Sequence, residues 1–330
     1  MKSIYFNDVY IISSITISGP KEKEGPLGNL IDFSYDEIKA GQTTYEEGEA
    51  KMIEQGLSLL IQKARMSPSQ IDVIIGGDLT NQIISSNYAL SNFPCSFIGV
   101  YSACSTSMLS LLLGSSLVSS LQAENAVCYA SSNYGASERQ FRYPLEYGVK
   151  KKESSTTTVS GMGGVIVSKK KSKIKVVCAT IGQVYDIDWD NQNDMGSAMA
   201  YAAFNIIIEH LINTKTSPKN YSLILTGDLS SVGSKVLMSM FDEYGIKLEN
   251  YQDAGNIIYN QDQQTDVFSG GSGCACLPLV TYSYIFSKMI NNELKDVLLV
   301  GTGCLHSKTS FAQEANIPVI AHAVHIKRVN

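Results

Sequence analysis

Apolar positions along this 330-residue chain fall into two rhythms. Val9 to Ile17 sets β-branched residues at alternating positions, as a strand does, and Ile71 to Ile75 is a short β-branched run that meets Gly76-Gly77-Asp78. Between them, Gly19-Pro20 and Gly25-Pro26 bracket a charged loop. Tyr45 to Arg65 then carries Met52, Ile53, Leu57, Leu60 and Ile61 at helical spacing, and Ser67-Pro68 ends it. A second helix is predicted over Ser105 to Leu121. Its apolar residues run nearly all the way round and the rest are small, so it should be buried on every side. Ala126 to Ala130 and Gly164 to Ser168 read as strands, and Lys169 to Lys175 as the solvated basic tip of a hairpin.

The second half echoes the first. IIGGDL (Ile74 to Leu79) returns as LILTGDL (Leu223 to Leu229), and Phe97 to Ser107 resembles Phe268 to Leu277. Ala126 to Asn133 resembles Val297 to Cys304, and Met162 to Ser168 resembles Ala321 to Lys327. Four weak matches in one order argue for duplication. The expected fold is α/β and layered, built from two duplicated halves, 1–175 and 176–330, each a mixed five-stranded sheet with buried helices between.

Composition narrows the function. The chain is 44% hydrophobic, which suits a folded core, and its net charge of −5 argues against nucleic acid as the main partner. Seven cysteines without a C-x-x-C pair, and four histidines, give no metal-ligand spacing and point to reduced thiols. Cys274 and Cys276 share one side of a strand if extended. Asp8 interrupts the apolar start, which reads as a strand and not a signal peptide, and Met108 to Leu121 is too short to span a bilayer. A soluble chain is expected.

The densest chemistry is Tyr101-Ser-Ala-Cys-Ser-Thr-Ser107. Cys104 falls at a strand-to-helix turn, where unpaired N–H groups and the helix dipole favour a thiolate. That position suits a nucleophile, an anion site, or simply a small buried cysteine. Among the histidines His306, after a glycine-rich strand end, is best placed for a pocket, and His210 looks like a surface or helix-end residue. Arg139 and Arg142 are three apart, so one helical turn puts both on one face. Two fixed guanidiniums suit a rigid dicarboxylate, and ordinary ion pairs with Glu138 or Glu146 are the bland alternative. Tyr134, Phe141, Tyr143 and Tyr147 are near enough in sequence to flank an aromatic ring.

The strand, S-A-C-S, buried helix and duplicated half resemble the thiolase and ketoacyl synthase superfamily. Seven segments in order, including Gly19 to Gly28, Gly77 to Gln82, Ser137-Glu-Arg-Gln-Phe-Arg-Tyr-Pro144, and Gly270 to Cys276, resemble one branch, the stage V sporulation protein AD family. Condensing enzymes of the superfamily pair their Cys with His and Asn. Here Asp228 stands in the first place and the glycine-rich stretch Gly270 to Gly273 in the second, so the resemblance implies a relict nucleophile at Cys104 without partners and a non-catalytic protein. It further implies binding of dipicolinic acid (pyridine-2,6-dicarboxylate), or its calcium chelate, with no other cofactor. The pocket would be lined by Asp78, Cys104, Ser132, Asn133, Glu138, Arg139, Arg142, Tyr143 and Asp228. Implied partners are the other SpoVA membrane proteins at the forespore or spore inner membrane, with the chain peripheral to it, and a second copy paired near Phe97 to Tyr101. The alternatives are an acyltransferase or ketoacyl synthase-like enzyme using Cys104, and a scaffold subunit with a vestigial pocket.

Overall fold

Ten strands of one hydrogen-bonded path account for the alternation, in a computed structural model that describes residues 3–329. The first half contributes β1 (Ser3–Ser18), β2 (Val73–Gly77), β3 (Ser96–Gly99), β4 (Asn125–Ser132) and β5 (Gly161–Ser168). The second contributes β6 (Ile174–Thr180), β7 (Leu223–Thr226), β8 (Tyr251–Asp253), β9 (Asp296–Cys304) and β10 (Val319–Arg328). The first half is ordered β1-β5-β4-β2-β3 and the second β6-β10-β9-β7-β8. The two orders are the same, and so are the strand directions within them. Duplication is therefore visible in topology as well as in sequence.

Helices fill three layers. α1 (Tyr45–Lys63) starts at a capping box, in which Thr44 Oγ1 accepts from the Glu47 N–H and Glu47 accepts from the Thr44 N–H. With α2 (Ile84–Leu90) it covers the outer face of the first half. α3 (Thr106–Ser119) touches β2 and β4 of one half and β9 and β10 of the other, so it lies in the central layer. That position is why its apolar residues need no polar face. A Cβ on Gly114 would come 2.2 Å from the Cys128 sulfur, so glycine allows α3 this close to β4. α4 (Tyr134–Phe141) follows β4. α5 (Met195–Thr214) and α6 (Ser230–Glu243) cover the outer face of the second half. α7 runs Cys276–Val280, through a π turn at Thr281–Ile285, to Phe286–Ile290, and shares the central layer with α3.

Burial follows this αβαβα stack. In β2, Val73 and Ile75 face the central layer while Ile74 faces the outer one. In β9, Val297 and Leu299 face inward while Leu298 and Val300 face α5. Both faces are covered, as parallel central strands require. Among the described residues, α5 is the one helix long and apolar enough to cross a membrane, and its inner face is part of the core.

Four expectations are corrected. Lys169 to Lys175 is no hairpin tip: β5 and β6 both pair with β1, so the lysine turn crosses β1 from one edge to the other. Phe268 to Leu277 echoes the Cys104 region only in its turn and helix. Its strand residues, Gly271–Ser272, pair with Thr157–Thr158 off the main sheet, and the true counterpart of β3 is β8. Cys276 opens a helix, so it and Cys274 do not share a strand face. His210 is fully buried on α5, bonded to Thr180 Oγ1 at 2.8 Å and Tyr221 Oη at 2.9 Å.

Candidate functional site

The turn at Cys104 is held from both halves. Ala103 lies in the left-handed region at φ 46°, an uncommon conformation for a residue with a Cβ, and it swings the chain from β3 into α3. Thr106 Oγ1 accepts from the Ser102 N–H at 3.0 Å and donates to the Ala103 carbonyl at 2.6 Å. Ser105 Oγ donates to the Ser102 carbonyl. From β10, His322 completes the brace. Gly182 N–H donates to its Nδ1, so Nε2 carries the proton and donates to Ser102 Oγ at 3.1 Å. Gly303 on β9 packs against the same turn, where a Cβ would lie 2.7 Å from the Ser102 carbonyl oxygen.

The thiol itself is not activated. Burial pushes Cys104 well above the ordinary thiol range, and Asp228 nearby pushes it further. Ser272 Oγ at 3.7 Å is its side-chain partner. The helix N-terminus was expected to favour the thiolate, but desolvation outweighs it. No histidine among the described residues bonds to Cys104. His210 and His322 are engaged as above, His325 meets Asp296 at 3.0 Å, and both ring nitrogens of buried His306 lack a partner between Phe141 and Phe311. Asp228 accepts from the Gly273 N–H at 2.7 Å through Oδ1, while Oδ2 is buried without a partner. Burial, then the Asp253 carboxylate, raises its pKa strongly. The cleft beside Cys104, walled by Leu79, Phe141, Arg142, Met195 and Ser272, holds about 20 Å³, room for one water.

Arg142 also walls a larger cavity of about 290 Å³, lined by Tyr134, Glu138, Tyr143, Val149 and Lys151. Glu138, on α4 and 2% exposed, organises this wall. Its Oε2 accepts from Arg142 Nε at 3.0 Å, and its Oε1 accepts from Arg142 Nη2 and Lys151 Nζ, both at 2.8 Å. Thr158 Oγ1 donates to Oε1 as well. Burial pushes the Glu138 carboxyl up, but the two cations outweigh it and leave it below its usual range. Burial lowers Lys151 to about 8, with Glu138 opposing the fall. The Lys151 ammonium sits 4.5 Å from the Tyr134 ring centroid.

The other sequence candidates divide. Arg139 does not join Arg142. It pairs with Glu46 at 2.7 Å and is half-exposed, because the helix ends at Phe141 and Arg142 leaves helical geometry at φ −129°, ψ −99°. Asp78 is fully buried and accepts from the N–H groups of Thr80 and Ser86, both at 2.8 Å, so it fastens the start of α2. Ser132 donates to the Val159 carbonyl and accepts from the Ala275 N–H. Asn133 caps α4 through the Gly135 N–H and donates to the Ile38 carbonyl. Tyr143 is exposed at the cavity mouth. Lys151 was missed: in the run Lys150-Lys151-Lys152 nothing local marks the middle residue, and only the fold brings it to Glu138.

Comparison with known proteins bears on the family and the fold. The family model for stage V sporulation protein AD (SpoVAD) matches residues 2–327. Stage V sporulation protein AD of Bacillus subtilis (strain 168) is 40% identical over 326 residues, covering 98% of this chain and 96% of that protein. Among solved structures, 3-oxoacyl-[acyl-carrier-protein] synthase III from Aquifex aeolicus VF5 superposes with a TM-score of 0.56 at 14% identity, covering 97% of this chain and 99% of that one. Cerulenin-bound OleA of Xanthomonas campestris reaches 0.63 at 11% identity, covering 98% and 100%. At such identities the structures show a shared thiolase-like fold, whereas the match along nearly the whole sequence is decisive: the chain belongs to the stage V sporulation protein AD family.

Proposed function

We propose that this sporulation-family protein binds dipicolinate, alone or as its calcium chelate, without transforming it. It would act as the peripheral component of the SpoVA transport apparatus at the spore inner membrane. One observation carries the reading. A buried glutamate locks an arginine and a lysine side by side in the wall of a cavity that two tyrosines line. Two cations against one carboxylate leave a net positive wall, and the volume is at the small end of ligand pockets, about 300–1,000 Å³. Arg142 spends Nε and both Nη2 hydrogens on Glu138 and the Thr156 carbonyl, and one Nη1 hydrogen on the Gln192 carbonyl. One of its five donors remains. A ligand carboxylate is therefore shared between Arg142 Nη1 and the free hydrogens of Lys151, in place of the paired-arginine grip expected from sequence.

Acyl transfer through Cys104 is the weaker reading. The thiol is raised, no described histidine bonds to it, and its cleft holds one water. Titration calorimetry of the purified protein with dipicolinate, with and without calcium, tests the proposal. Saturable one-to-one binding is expected, weakened by ~2–5 kcal/mol in Arg142→Ala, as when one side of a buried charge contact is removed. Arg139→Ala should bind like the parent. No binding under either condition, or equal losses in both variants, sinks it.

A further inference from the structure

A second charged feature lies at the opposite end of the sheet. The candidate site sits where β2, β3 and β4 end. Where the parallel strands begin, the turn between β5 and β6 carries Lys169, Lys170, Lys171 and Lys173. Backbone bonds bring more cations beside it. Val329 N–H donates to the Lys173 carbonyl at 2.9 Å, and Arg328 N–H to the Lys295 carbonyl at 2.7 Å. Arg65 faces the same groove as Lys169 and Lys170. Lys175 and Lys327 are neutralised by Asp8 and Asp296. Arg65, Lys170, Lys171, Lys173 and Lys295 are exposed and pair with no carboxylate among the described residues, and Glu124 is the one acid lining the groove. A chain of net charge −5 thus concentrates cations on one end.

An independent observation concerns apolar surface. Leu121, in the same groove, is 76% exposed and held in the left-handed region at φ 62°. Its backbone turn aims a large apolar side chain at solvent beside the lysines. Met66 and Ile12 line the groove behind it.

We infer that this end of the sheet docks on an anionic lipid surface, with the lysine turn meeting headgroups and Leu121 entering the acyl boundary. Clusters of four to eight cations next to apolar side chains fit such a surface, each cation adding about 1 kcal/mol of attraction. An acidic protein would satisfy the lysines and leave Leu121 without a role. The inference does not depend on dipicolinate binding.

Flotation of the full chain with vesicles tests it. Vesicles of mixed phosphatidylglycerol and phosphatidylcholine should capture the protein, and vesicles of phosphatidylcholine alone should not. Capture should fade toward ~1 M salt, where the Debye length is about 3 Å. The triple variant Lys170→Gln, Lys171→Gln, Lys173→Gln should bind on the order of 100-fold more weakly, with an unchanged melting curve. Leu121→Ser should lower capture at every salt concentration. Equal capture by both vesicle types, no capture, or a triple variant that floats like the parent overturns the inference. So does soluble polyglutamate that strips the protein from vesicles while Leu121→Ser behaves as the parent, because that identifies an acidic polypeptide site.

Discussion

Glu138→Gln separates the structure's account of the cavity from simple charge counting. Removing a carboxylate from an anion site should, by Coulomb's law alone, tighten binding of a dicarboxylate. The geometry dictates the reverse. Glu138 accepts four hydrogen bonds, from Arg142 twice, Lys151 and Thr158, and the Arg142 and Lys151 side chains are only 9% and 10% exposed. Glutamine keeps one acceptor oxygen and turns an NH₂ toward Arg142 or Lys151, which can only donate. Removing one partner of a buried ion pair costs about 3–5 kcal/mol, a large part of a typical 5–15 kcal/mol stability. Lys151, held at about 8 with Glu138 present, loses the charge that keeps it from falling further, so its pKa drops and less of its charge is left for the ligand. Arg142 loses the fork that fixes its plane. Urea unfolding should therefore show a loss of that size, and calorimetry under native conditions should show weaker dipicolinate binding. A variant within about 1 kcal/mol of the parent, or one that binds the ligand more tightly, refutes the reasoning.

Two further outcomes follow from the same groups. Dipicolinate affinity should fall as pH rises through about 8, as folded Lys151 loses its proton, while the stability contribution runs the other way. The folded-state value lies below the ordinary lysine value of 10.5, so the unfolded chain holds more protons between them and stability rises with pH across that window. Titrations and melts at matched pH check both signs, and parallel trends would contradict the placement of Lys151 at the ligand. Iodoacetamide at neutral pH should modify Cys104 more slowly than a free cysteine, because burial raises its thiol, and rapid labelling read by peptide mass spectrometry would restore the acyl-transfer reading.

Much of the fold was legible because burial imposes period. The all-round apolar helix at Ser105 to Leu121 implied a central layer, and α3 occupies it. Three of the four internal echoes sit on matching strands: β2 with β7, β4 with β9, and β5 with β10. Long-range pairing was not legible. Nothing around Lys169 reveals that β1 separates β5 from β6, since that depends on residues far earlier in the chain. The site was harder still. Spacing put Arg139 and Arg142 on one face, yet the helix ends between them and each takes its own carboxylate. Asp78, Ser132 and Asn133 were expected at the ligand, and their polar atoms are spent on backbone groups. Lys151 acquires its chemistry from desolvation, which no local string records.

The double engagement of β1 has a consequence for how the chain is made. Its later residues, Tyr10 to Ser18, close onto β5, but Ser3 waits for Thr180, 177 residues on. During synthesis the first half can condense while the leading stretch of β1 remains an open edge, and such edges recruit other chains. Polypeptides cut before β6 should therefore aggregate where the whole chain does not. The seam between the halves ties the solubility of the first to the arrival of the second.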